Sequence, residues 1–305
     1  MSVKKVSQYL VRELRVSDAD SVRQIWTESG FMAMKYGPEI WRKSFSEGLF
    51  VAEDVSTGQV IGYCDGVNLT NDLAFIGGYS VKPEYRGQGI GAALWAKAVT
   101  YMGTDRNIAL FAATQAMGDY YRTKCGFGVV PDRRLVHMTG QVVVNDDIIK
   151  NIDGITLSVI TNEILPLVVK YDSNVCAGLN RTVYIKELTK SPDTWNLVAI
   201  NENRDVVGYC IIYTTTTEVT MVGPLYADND KIAELLVGQC CHQLPVERRN
   251  NFLYYCWNTN DKSIGLAKRL GLTYLKDRPF LFNKKLVDGQ LDKQFCISNS
   301  FLYPY

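Results

Sequence analysis

Tyr79-Ser80-Val81-Lys82-Pro83-Glu84-Tyr85-Arg86-Gly87-Gln88-Gly89-Ile90-Gly91-Ala92 decides how this chain of 305 residues folds. A strand over Leu73–Val81 runs into a break at Pro83. Three glycines follow at alternate positions, and a helix over Ala92–Met102 begins at once. Glycine allows dihedrals that let consecutive backbone N–H groups converge on one anion. A helix N-terminus adds the positive end of its dipole. Together these make a cradle for a pyrophosphate. Two nucleotide-binding alternatives fit poorly. A Walker A loop ends in Gly-Lys-Ser/Thr, whereas this one continues Gly91-Ala92-Ala93. A dinucleotide fingerprint is G-x-G-x-x-G after the first strand with an acidic residue downstream; here the pattern is G-x-G-x-G after the fourth strand.

On the N-terminal side, Arg12–Val16 reads as a strand. Ser17-Asp18-Ala19-Asp20 offers helix-capping chemistry, and Val22, Ile25 and Trp26 follow at helical spacing. Pro38 opens a second short helix over 38–46. Phe50–Glu53 and Val60–Gly66 flank the turn Ser56-Thr57-Gly58 as a hairpin. On the C-terminal side come a strand over Ile108–Ala113, a helix over Ala116–Lys124 ended by Gly126, and a strand over Leu135–Val144. The order β-α-α-β-β-β-α-β-α-β predicts a mixed α/β sheet with helices on its faces.

Asn145–Gly154 is polar and reads as a linker, dividing the chain into units 1–148 and 155–305. The second unit repeats the first loosely. Val206-Val207-Gly208-Tyr209-Cys210 echoes Val60-Ile61-Gly62-Tyr63-Cys64, and Lys268-Arg269-Leu270-Gly271-Leu272 echoes Thr123-Lys124-Cys125-Gly126-Phe127. It carries a hairpin over Asn196–Ile200 and Val206–Tyr213, a strand over Val219–Val222, a helix over Asp230–Gln243, a strand over Phe252–Trp257, a helix over Lys262–Leu270 and a strand over Phe280–Asn283. Two tandem copies of one fold are expected.

Composition narrows the function. There are 33 basic and 32 acidic residues, 17 and 16 of them up to position 150, which leaves 16 and 16 after it. Neither half has the charge excess of a nucleic-acid or anionic-membrane binder. No apolar leader follows the charged N-terminus, and no stretch has the ~18 apolar residues of a membrane span. The eight cysteines are scattered without a CxxC pair, and there are two histidines, His137 and His242. A zinc site and histidine-based nucleophilic catalysis are therefore not expected. Reduced core thiols in a cytoplasmic protein are.

Arg86-x-x-Gly89-x-Gly91, with Val81-Lys82-Pro83-Glu84-Tyr85 before it and Leu94 in the helix after it, resembles the R/Q-x-x-G-x-G/A motif of the GNAT superfamily of N-acetyltransferases. Gly126-Phe127 resembles the glycine–aromatic pair after that fold's last helix. The resemblance covers roughly residues 12–144. The second half is similar in layout, so the whole resembles a tandem GNAT protein. The resemblance implies that the amides of Gln88, Gly89, Ile90, Gly91 and Ala92 hold the pyrophosphate of acetyl-CoA, with Arg86 and Gly87 opening the loop. It also implies that the strand edge at Tyr79–Val81 binds the pantetheine arm, and that an acceptor amine attacks the thioester directly, without an acyl-enzyme or a metal. The protein then supplies orientation, an oxyanion donor, a route for the amine proton and an acid for the thiolate.

The sequence departs from that pattern at the acid. The family often places a tyrosine four residues before the helix-ending glycine, and here that position is Arg122. Tyr121 and Tyr120 lie one and two places earlier, and one helical residue rotates a side chain by about 100°. Tyr121 and Tyr120 are the candidates for the acid. Gln115 stands where the family often has asparagine and is the candidate for a further pantetheine contact. No carboxylate lies in Phe75–Val81; Asp65, Asp72 and Asp119 are the nearest, with Asp65 the candidate base, each more readily read as a solvated residue. In the second half the corresponding turn reads Gly223-Pro224-Leu225-Tyr226-Ala227-Asp228-Asn229-Asp230, whose acidic residues repel a pyrophosphate. That half is expected to be structural or to wall the acceptor pocket, with Trp195, Tyr209 and Tyr213 as candidates. The apolar tail Gln294–Tyr305 is expected to add a strand to the second sheet or to cross to the first. The expected activity is acetyl transfer to a primary amine, of a small molecule before a protein lysine or N-terminus. A non-catalytic acyl-CoA-binding scaffold is the alternative. Nothing in the sequence names the amine, the acyl length or an oligomeric state.

Overall fold

The computed structural model describes residues 4–144, 147–299 and 303. Asn145 and Asp146 of the expected linker, and Ser300, Phe301, Leu302, Pro304 and Tyr305 of the tail, lie outside the described residues. The first half runs β1 (Tyr9–Glu13), α1 (Ala19–Glu28), α2 (Gly37–Ser44), β2 (Leu49–Asp54), β3 (Val60–Asn68), β4 (Leu73–Val81), α3 (Ile90–Met102), β5 (Asn107–Phe111), α4 (Gln115–Lys124) and β6 (Arg134–Gly140). This is the predicted order. The second half runs β7 (Ile155–Ser158), α5 (Leu165–Val175), α6 (Thr182–Lys190), β8 (Thr194–Asn201), β9 (Val206–Thr214), β10 (Thr220–Ala227), α7 (Asp230–Gln243), β11 (Phe252–Trp257), α8 (Asp261–Arg269), β12 (Thr273–Phe282) and β13 (Gln294–Cys296). The sequence reading assigned nothing to β7, α5 and α6. It also ended β10 at Val222, whereas the strand runs on through Gly223 and Pro224 to Ala227.

All these strands join one mixed sheet, in the order β1-β2-β3-β4-β5-β12-β6-β11-β10-β9-β8-β7, with β13 beside β10. The halves exchange strands. β12 lies between β5 and β6, pairing Phe280 with Phe111 and Arg278 with Leu135. β6 pairs in turn with β11 of the second half, Leu135 opposite Trp257. The pairs β4–β5 and β10–β11 are parallel, and each has only three residues in register. Beyond those residues the strands diverge, which leaves a V-shaped cleft in each half of the sheet.

Apolar periodicity covers both faces. α1 buries Val22, Ile25 and Trp26, and Trp26 meets Trp41 of α2 and Tyr63 of β3 at ring distances of 4.8 and 5.3 Å. α3 covers the opposite face with Leu94, Ala98 and Met102. The α1–α2 connection also touches the β9–β10 hairpin, through Lys35 N–H to Thr214 O (3.0 Å) and Thr216 N–H to Ala33 O (2.8 Å). Trp195 is half-buried, and Tyr209 and Tyr213 are core residues of the second half. They line none of the three cavities beside the glycine loop.

Candidate active site

The glycine loop leads β4 into α3. Gly87 and Gly89 have φ of +78° and +80°, the left-handed region that favours glycine. Gly89 is the N-cap of α3. It offers no side-chain cap, and no acidic residue stands in the first turn. The first amides of the helix are thus left to an outside acceptor. A Cβ on Gly87 would meet nothing within 4 Å, so the loop is open on that side. Gly91 has a further reason to be glycine: a Cβ there would collide with the Tyr79 hydroxyl. Arg86 braces the loop by donating from Nε to Val81 O (2.9 Å). Gln88 ties down the N-terminal arm, accepting from Val6 N–H (3.0 Å) and donating to Lys4 O (2.7 Å). The donors and dipole of this loop fit a pyrophosphate.

Beside the loop, β4 carries a bulge. Tyr63 pairs with Ser80 and Asp65 with Gly77, two steps along β3 against three along β4. The extra residue is taken up at Gly78, with φ +56°. β4 separates from β5 past Phe75, and cavities fill the opening. One of about 480 Å³ runs from the glycine loop along Tyr79–Val81 to Met117 and Tyr121. A second of about 380 Å³ lies against Ala92, Trp95, Tyr120 and Tyr121. A narrow third of about 60 Å³ is lined by Phe31, Gly77, Gly78, Tyr121 and Arg278. Phe31 and Phe111 belong to the α1–α2 face and Trp95 and Tyr121 to the α3 face, so this last space passes through the sheet.

Tyr121 borders all three cavities. Its ring stacks on Trp95 at 5.2 Å and 9°, and Tyr79 meets the same Trp95 edge-on at 5.7 Å. Thr114 caps the start of α4 by accepting from Met117 N–H (3.2 Å), and Gly126 with φ +79° ends it, so the position of Tyr121 is set at both ends. Burial pushes the Tyr79 phenol up to about 12 and the Tyr121 phenol higher still. Both stay protonated at neutral pH, which leaves Tyr121 a proton donor. Tyr120 is half exposed, at the rim of the second cavity. Gln115 is turned away, donating to Asp119 (3.3 Å) and accepting from Arg134 (3.0 Å), and lines none of the cavities.

Asp65 is not the solvated residue the sequence suggested. It is fully buried in β3, and neither carboxyl oxygen has a well-aligned hydrogen-bond partner among the described residues. Burial raises its pKa far above the usual carboxylate value, and the Gly77 backbone only partly opposes the rise. A Cβ on Gly78 would collide with both Asp65 and the Tyr63 ring, so the carboxyl is packed directly behind the bulge. Asp72 and Asp119 are exposed. Sequence reasoning missed Phe31 and Arg278. Arg278 comes from the far half through the strand exchange, in a stretch where no strand was expected.

Residues 19–127 match the profile described as the acetyltransferase (GNAT) family, and residues 168–290 match that of an acetyltransferase (GNAT) domain. A Bacillus subtilis (strain 168) protein with the provisional name ribosomal-protein-alanine N-acetyltransferase is 33% identical over 97 residues, 29% of this chain and 58% of that protein. The chain spans just over half the length of the curated relatives it matches, 54 to 58%. A Pyrococcus horikoshii protein, solved as a candidate acetyltransferase, superposes with a TM-score of 0.73 at 17% identity, over 98% of this chain and 97% of that one. A tandem GNAT protein from the clavulanic acid biosynthesis pathway does so at 0.65 and 16%, over 90% and 98%. These likenesses show the fold.

Proposed function

This chain belongs to the GNAT family of acetyltransferases, and from that premise we propose that it transfers the acetyl group of acetyl-CoA to a primary amine, that of a small molecule in preference to a protein. The observation that carries the reading is the junction of an uncapped glycine-rich helix N-terminus with a cleft bordered by a buried, protonated tyrosine. In this reading residues 1–148 form the transferase unit and 155–305 its support. The amides of Gln88–Ala92 hold the pyrophosphate, and the edge of β4 at Tyr79–Val81 guides the pantetheine arm towards the bulge.

The amine nitrogen attacks the thioester carbonyl, the C–S bond breaks, and the sulfur leaves as a thiolate. Tyr121 donates the proton that the thiolate takes up, and the proton lost by the amine passes through water and restores the Tyr121 phenol, so the net products are the amide and the free thiol. Asp65, sealed behind Gly78, acts by holding the bulge rather than by touching substrate. An amine acceptor also accords with the name of the Bacillus relative. The eight free cysteines, seven of them buried, favour a reducing cytoplasmic setting. No described helix is long and apolar enough to cross a membrane.

One observation favours a second reading, a non-catalytic acyl-CoA binder: no carboxylate lines the three cavities among the described residues. Release of free thiol from acetyl-CoA over an amine panel separates the two. Transfer predicts amine-dependent release, and Tyr121→Phe should lower kcat by about 10²-fold while leaving acetyl-CoA affinity unchanged. Absence of amine-dependent release with intact binding would establish the second reading.

A further inference from the structure

Met117, Tyr121 and Cys125 follow one another at four-residue spacing through α4 and its C-cap, so they share one face of that helix. Together with Ala92 and Trp95, three apart in α3, they line the second cavity of the site, a groove of about 380 Å³. Among the described residues no charged side chain lines it. Tyr79, Trp95, Met117 and Cys125 are each only partly buried, so this aromatic stripe is left uncovered. The groove is continuous with the cavity that starts at the glycine loop, since Tyr79, Met117 and Tyr121 border both. The space that crosses the sheet has a volume of only about 60 Å³. A chain that continues the line of the pantetheine arm past Tyr121 therefore finds its room on the α3 side. From Tyr121 to Cys125 the groove runs about 6 Å, at 1.5 Å per helical residue.

We propose that this groove is an acyl-chain site, so that the enzyme takes apolar acyl-CoA donors of medium length, with acetyl-CoA the shortest of them. This deepens the transferase reading and rests on it. The bonds are those of acetyl transfer. The amine nitrogen bonds to the thioester carbonyl carbon, the C–S bond breaks, and the added methylenes lie in the groove without reacting. Methylenes gain by leaving water for an aromatic lining. An apolar cavity of about 150 Å³ already holds a benzene ring, so volume does not limit the chain. An acyl group that ends in a carboxylate loses hydration there and meets no cation. Cys125 lies one helical turn beyond Tyr121. Of the eight cysteines it is the one that is not buried, so its thiol reports what occupies the groove.

Two measurements on the intact chain test it without requiring turnover. Acetyl-, hexanoyl- and succinyl-CoA are titrated calorimetrically. Hexanoyl-CoA should bind at least tenfold tighter than acetyl-CoA, because each buried methylene favours the bound state, and succinyl-CoA should bind no tighter. Cys125→Phe, which fills the groove, should abolish the gain. Its acetyl-CoA affinity should be unchanged, which also reports that it folds. In the unsubstituted chain, alkylation of Cys125 by N-ethylmaleimide is followed by peptide mass spectrometry. It should be at least tenfold slower under saturating hexanoyl-CoA than under saturating acetyl-CoA. Equal affinity with equal protection overturns the groove while leaving the transferase standing. Tighter binding with protection, but no transfer to any amine of the panel, sustains the groove and overturns the transferase. Failure of every acyl-CoA to bind overturns both. An equal gain for succinyl-CoA, or a gain that survives Cys125→Phe, also overturns the proposal. So does protection of Cys125 by hexylamine on CoA-saturated protein in place of protection by hexanoyl-CoA, which would give the groove to the acceptor.

Discussion

The two halves open the same cleft and treat it differently. In the first, β4 and β5 part after three residues and the gap holds the cavities of the site. In the second, β10 and β11 part after three residues, and the chain's own β13 fills the gap. β13 pairs with β10 at Leu225 and Tyr226, and Ile297 donates to Tyr255 O at 2.9 Å on the other side. Phe295, Cys296 and Ile297 are fully buried there. The helix starts differ in the same sense. α3 begins at bare glycine, whereas Asn229 caps α7 by accepting from Ile232 N–H at 3.0 Å, Asp230 stands in its first turn, and Asp228 is held by Lys293 at 3.0 Å. One fold thus has its cleft and helix terminus left open in one half and satisfied from within in the other, and on the proposed reading the first is the binding site and the second its support.

The largest expected effect breaks the closed half. Phe295→Ala should cost about 3–5 kcal/mol, read by urea unfolding, with acetyl-CoA affinity unchanged. Appearance of a second acetyl-CoA site in that variant would mean that the plug alone, not the acidic turn, silences the half. Next comes the open half. Gly87→Asp puts a carboxylate into the cradle at a position with room for it, and aspartate tolerates φ > 0. Acetyl-CoA affinity should fall at least 100-fold, about 2.7 kcal/mol, in a protein that remains folded by circular dichroism.

The smallest effects are in the pH dependence of stability, where two buried groups pull in opposite directions. Burial, then Arg278 and Lys276, depress His137 far below its ordinary value. The folded state therefore holds fewer protons, and the contribution of His137 is present above about pH 6.5 and lost as pH falls. The slope approaches 1.4 kcal/mol per pH unit, and His137→Phe, which keeps a ring against Tyr255, should flatten it. Asp65 is raised, so its contribution is present below about pH 3.9 and lost as pH rises. Asp65→Asn should accordingly raise the thermal midpoint at pH 7 and not at pH 4. A midpoint gain that is the same at both values would show that Asp65 is not held neutral.

Local signals made the first half legible. Glycine spacing, Pro83, the capping Thr114 and Gly126 each act within a few residues, and the cradle follows from them. The recurrence of Val-x-Gly-Tyr-Cys and of the Gly-ended helix announced the second copy for the same reason. What escaped was set by contacts distant in sequence. The exchange of β6 and β12 puts Arg278 beside Gly78, although 200 positions separate them. Asp65 read as polar and hence exposed; its burial follows from the bulge at Gly78, which no local pattern marks. Gly91 was legible as a glycine of the loop, but the second demand on it, room for the Tyr79 ring, comes from packing. β10 runs through Gly223 and Pro224, where the sequence says turn, because β13 on its open edge pairs with the strand beyond them.

Calorimetric titration of the intact chain with acetyl-CoA tests most directly the claim that one half binds and the other is closed. The account predicts one site per chain, lost in Gly87→Asp. Two sites per chain, or a single site that survives Gly87→Asp, would contradict it.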